Sequence, residues 1–176
     1  MLRNYSLMFL FLMAGPGWTQ DPQSEWSAGF QRLRFLEGSW AAVPQNPNAD
    51  GSWSPQNEIQ FTVSPSLGEK YLETEVHQAA YTYHLIFSFD QAQGQYRVVS
   101  YDDQSGLVDV YEGQFLDDGS LQVSNLKPGT HYLYQGQKVY NRMALKPKAQ
   151  GWTWLIEAST DGQSWLPQLK VDINPK

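Results

Sequence analysis

The chain has 176 residues, enough for one ordinary domain and short for two. Hydrophobic residues at 41% and charged residues at 17% exclude a disordered chain, and a net charge of -6 argues against nucleic acid or an anionic membrane surface as partner. Cysteine is absent, which removes disulfides, thiolate metal sites, a thiol nucleophile and a cysteine-linked lipid anchor.

Arg3 precedes a mostly apolar run from Tyr5 to Ala14, and Gly15-Pro16-Gly17 then breaks any helix. A basic start, a short apolar stretch and small residues near its end are the layout of a secretory signal peptide. The run is far below the roughly 20 residues that span a bilayer. The expectation is a signal peptide over 1–19, one domain over 20–176, and a secreted or periplasmic protein that inserts in no membrane after cleavage.

Phe30, Leu33 and Leu36 share a helical stripe that stops at Gly38, so one short helix is expected from Ser27 to Glu37. From Ser39 the apolar period changes to two. A first strand is expected at Ser39–Val43, followed by an irregular rim loop, Ala42–Trp53, rich in Pro, Asn and Gly. Ile59, Phe61 and Val63 alternate with polar residues. So do Leu72, Thr74 and Val76, then Tyr81, Tyr83, Leu85, Phe87 and Phe89, then Tyr96, Val98 and Ser100. Further strands are expected at Leu107–Phe115, Ser120–Leu126, Gln137–Leu145, Trp152–Ser159 and Leu166–Ile173. Turn signals such as Asp50-Gly51, Gln93-Gly94, Asp118-Gly119 and Asp161-Gly162 separate them. The result is an all-β meander of about ten strands. Such a sheet hides its edges most directly by closing into an up-and-down antiparallel barrel, with a two-sheet sandwich as the competing arrangement.

Leu36-Glu37-Gly38-Ser39-Trp40, a helix end running into Gly-x-Trp on the first strand, resembles the start of lipocalin-like (calycin) barrels. The resemblance implies that the helix closes one barrel end, that Gly38 permits the tight entry and that Trp40 plugs that end. It also implies an Arg from a late strand against the Trp, for which Arg142 is the candidate. The Thr-Asp-x-x-Tyr motif and the disulfide of core lipocalins are absent. The chain is most similar to an uncharacterised group of bacterial secreted domains with the same Gly-x-Trp start and a late Ser-x-Asp-Gly-x-x-Trp hairpin, here Ser159 to Trp165.

Two kinds of chemistry compete for the interior. Tyr71, Glu73, Glu75 and His77 share one strand face. Carboxylates about 7 Å apart on such a face suit acid–base work if they point inward, and are an ordinary solvated face if they point out. His77, His84 and His131 show no metal-ligand spacing, so no metal is expected. His131 lies among rim aromatics and is the candidate if the barrel holds haem; otherwise no cofactor is expected. Asp102-Asp103 and Asp117-Asp118 read as turn residues, and no Ser sits in Gly-x-Ser-x-Gly. The surplus of aromatics is the other signal, since rings lining a lumen would hold a small apolar or aromatic molecule. The expected lining is Tyr83, Leu85, Phe87, Tyr96, Val98, Tyr111 and Trp154. The preferred reading is an exported, non-catalytic binding barrel. An enzyme or haem barrel using Glu73, Glu75, His77 or His131, and a filled structural barrel, are the alternatives.

Overall fold

The computed structural model describes residues 28–77 and 82–176. The signal peptide expected over 1–19 lies outside them, as does Tyr81. Twelve strands follow one short helix over 28–36, whose last turn is a 3-10 turn at Arg34–Leu36. They are β1 (Gly38–Pro47), β2 (Trp53–Pro55), β3 (Ile59–Ser66), β4 (Tyr71–His77), β5 (Thr82–Asp90) and β6 (Gln95–Asp102). Then come β7 (Val108–Phe115), β8 (Leu121–Ser124), β9 (Tyr132–Tyr134), β10 (Gln137–Pro147), β11 (Trp152–Ser159) and β12 (Leu166–Pro175).

Ten of these strands form a closed antiparallel barrel. The ring runs β1, β3, β4, β5, β6, β7, β8, β10, β11, β12 and back to β1. Closure is made where Trp40 through Gln45 pair with Pro175 through Lys170. It leaves the ring without a free edge along most of its length. The period of two decides which side chains fill it. Leu72, Thr74 and Val76 on β4, Leu85 and Phe87 on β5, and Tyr96, Val98 and Ser100 on β6 are all buried.

The sequence missed β2 and β9. Each is a three-residue strand that turns back on a longer neighbour, β2 on β1 and β9 on β10. β1 therefore runs to Pro47, and the irregular loop expected over Ala42–Trp53 shrinks to the turn after it. That turn is tied by Asn48, Asp50 and Ser52: Asp50 Oδ1 accepts from the Ser52 amide and hydroxyl, and Asn48 Nδ2 donates to Ser52 Oγ. Proline and asparagine content marked the turn correctly and overstated its length.

The helix seals one end. Phe30, Leu33 and Leu36 are fully buried beneath it. Gly29 lies so close to β5 that a Cβ there would come within 2.4 Å of the Phe89 ring, and its carbonyl accepts from the Tyr96 hydroxyl at 3.1 Å. Gly38 turns the chain into β1 at φ 143°, a conformation that L side chains rarely adopt, and a Cβ there would press on the Trp40 ring at 3.2 Å. Trp40 Nε1 donates to the Leu36 carbonyl at 2.7 Å, which satisfies an acceptor the helix end leaves open. Its ring meets Trp152 edge to face, and Phe35 and Phe61 meet Trp152 the same way. The Arg32 guanidinium lies 4.0 Å over Phe115.

Arg142 is not part of this plug. Val139, Met143 and Leu145 are the buried residues of β10, so Arg142 has the opposite parity and faces outward. It pairs with Glu157 at 2.7 Å and lies 4.6 Å over the Trp165 ring. The family-based expectation of Arg142 against Trp40 is thus corrected by strand parity.

One stretch of wall is split. β3 and β4 pair only from Val63↔Thr74 to Ser66↔Tyr71. Beyond that point, away from the helix, Ile59 to Thr62 stay with β1 while Glu75 to His77 stay with β5.

Candidate functional site

The strands that leave the helix-capped end diverge around a cavity of about 380 Å³ at the other end. Its wall is built by inward residues of strands from across the ring. Pro44 comes from β1, Ile59 and Phe61 from β3, Val76 from β4, and Tyr83 from β5. Trp154 and Ile156 come from β11, and Leu169, Val171 and Ile173 from β12. Asp102, Gln104 and Ser105 form the polar part of the lining where β6 ends. The volume falls within the range of small-molecule pockets, and the mixture of apolar wall and few polar groups is that of a binding site.

Of the expected lining residues, Tyr83 and Trp154 reach this cavity. Leu85, Phe87, Tyr96, Val98 and Tyr111 point inward as expected but are packed among themselves and the plug. Phe87 and Val98 are 1% and 0% exposed, which leaves no room for a ligand beside them. The barrel is thus filled in its helix-side half and hollow in the other. Ile59, Phe61, Val76, Ile156, Val171 and Ile173 complete the wall. Their alternation is visible in the sequence, but height along the barrel axis is not a property of alternation.

Trp154 is more than nine-tenths buried at the cavity wall, and its indole Nε1 has no hydrogen-bond partner. Thr74 Oγ1 and Trp152 Nε1, deeper inside, also lack partners. Unpaired buried donors are costly, each on the order of 1–3 kcal/mol.

Behind the cavity lies a buried polar cluster. The Tyr111 hydroxyl donates to Asp109 Oδ2 at 2.7 Å. Asn125 Nδ2 donates to both Asp109 oxygens at 3.0 and 3.1 Å, and Asn125 Oδ1 accepts from the Asn141 amide at 2.7 Å. Burial, together with the nearby Tyr83 and Asp109, holds the Tyr111 phenol far above its ordinary value. Burial and Asp109 push Tyr132 in the same direction.

The other candidates lie outside the lumen. Glu73, Glu75 and His77 belong to the outer face of β4, and His77 is 71% exposed. They border a polar cleft at the split between β3 and β4, which also includes His84 and Tyr101. His84 stacks on Tyr101 at 4.6 Å and lies 3.5 Å from Glu75. His131 sits before β9, with Nδ1 2.8 Å from the Gly129 carbonyl and its ring against the outward Tyr140. Neither polar group can act on a molecule inside the barrel from these positions. Among the described residues, no cluster of three metal-ligating side chains is present.

No protein-family model matches the chain, and no curated protein sequence matches it. Among solved structures it is similar to Rv2717c from M. tuberculosis, with a TM-score of 0.57 and 13% identity over 84% of this chain and 97% of that one. At this identity the likeness is one of fold, and it agrees with the closed barrel.

Proposed function

We propose that the protein is a non-catalytic, exported barrel that binds a small lipophilic or aromatic molecule in its open half. The observation that carries this reading is the cavity itself: about 380 Å³, walled by Phe61, Tyr83, Trp154 and aliphatic residues. Burying a ligand's apolar surface there contributes roughly 25 cal/mol per Å² before the costs of association are subtracted. The outward placement of Glu73, Glu75, His77 and His131 gives the enzyme and haem readings no group inside the lumen. A lipocalin-like assignment belongs to the same proposal and is supported by the Gly38-x-Trp40 plug beneath the helix. Export is supported by the composition of residues 1–19 alone.

The test is titration with a neutral fluorescent aromatic amine, N-phenyl-1-naphthylamine. Saturable enhancement and a rise in melting temperature are expected. Phe61→Ala and Trp154→Ala should each weaken binding about tenfold or more, through lost contact area. Absence of saturable binding in the intact protein would overturn the reading.

A further inference from the structure

The charge of the cavity lining points to the class of ligand, an inference that rests on the binding role proposed above. Among the described residues, no Lys, Arg or His lines the cavity, and its one ionisable acid is Asp102. Asp102 is paired across the sheet with Tyr83, so a carboxylate and a phenol stand side by side on the inward face of β6 and β5.

The carboxylate is held in place. Asp102 Oδ1 accepts from the Gln104 amide at 2.8 Å and the Ser105 amide at 2.5 Å, and Oδ2 accepts from the Ser105 hydroxyl at 2.6 Å. These bonds, the Ser105 hydroxyl's foremost, keep its titration below the ordinary carboxylate range. Two oxygens offer about four acceptor positions, so one on Oδ2 is left for a further donor. No ion pair to Asp102 is formed among the described residues. A fixed anion at the edge of an apolar cavity, with no cation opposing it, attracts positive charge and repels negative charge most strongly where water is partly excluded.

We infer that the cavity selects molecules with an aromatic or apolar body and a protonated amine head, the head placed at Asp102 and the body against Phe61, Tyr83 and Trp154. It disfavours carboxylates of the same shape, such as fatty or aryl acids.

The experiment compares three probes of nearly equal size at neutral pH: 2-naphthylmethylamine, 2-naphthalenemethanol and 2-naphthoate. Binding to the intact protein is measured by quenching of tryptophan fluorescence. The amine is expected to bind about tenfold more tightly than the alcohol, and the carboxylate more weakly than either. Raising the salt to about 0.5 M should weaken the amine and leave the alcohol unchanged. Asp102→Asn, with folding checked by circular dichroism, should bring the amine to the alcohol's affinity. Alcohol binding with no preference for the amine, a carboxylate that binds as tightly as the amine, or a preference that survives both salt and Asp102→Asn would overturn the inference while leaving the binding role intact. Failure of all three probes to bind would overturn both.

Discussion

Trp40 on β1 and Trp152 on β11 meet edge to face, with ring centroids 6.3 Å apart and planes at 90°. Their strands are not neighbours in the ring, because β12 lies between them. The contact therefore crosses the barrel floor and joins the strand that opens the ring to one near its close. With Phe35 and Phe61 also against Trp152, this small group of rings holds the helix, β1, β3 and β11 together.

Trp40→Ala should destabilise the fold by about 3–5 kcal/mol, as expected for a large ring lost from a packed site. Trp40→Phe should retain much of the packing but forfeit the bond to the Leu36 carbonyl, at about 1–2 kcal/mol. Urea melts of the three proteins would check the order.

Arg142→Ala should cost only about 1 kcal/mol or less. What it loses is a part-exposed pair with Glu157 and a stack on Trp165. A loss near that of Trp40→Ala would show that Arg142 supports the plug after all.

Asn125→Ala should cost about 3 kcal/mol, well above a typical polar substitution. It removes two donor contacts from the buried Asp109 carboxylate and one acceptor from the Asn141 amide, and nothing nearby replaces them. Thermal unfolding should show the loss, and Gln122→Ala on β8, just ahead of Asn125, serves as the control.

Alkaline pH should unfold the protein through Tyr111. Its phenol is held neutral in the fold, whereas in the unfolded chain it ionises near pH 10. A folded value above the unfolded one means that this contribution to stability is whole below about pH 10 and falls as pH rises beyond it. Tyrosinate absorbance followed against pH should show one phenol that ionises together with the loss of ellipticity. Ionisation of every tyrosine in the still-folded protein would contradict this.

Much of the barrel was legible because alternation is a strong signal where one face is buried. Leu72, Thr74 and Val76 read as inward, and so did Tyr83, Leu85 and Phe87. Alternation says which face a residue joins and nothing of how far along the axis it lies. Phe87 and Tyr83 therefore read alike, although one is sealed in the core and the other lines the cavity. The Arg142 expectation came from family resemblance, and the buried Val139, Met143 and Leu145 of its own strand pointed the other way. β2 and β9 were illegible because three residues are too few to show a period.

Because β12 is inserted between β1 and β11, the ring cannot shut until β12 has left the ribosome. Until then a nascent chain carries two bare strand edges. Pairing Trp40 with Pro175 also spans most of the sequence, which makes closure a late and slow event. A copy truncated before Leu166 would keep those edges permanently and is expected to aggregate rather than fold.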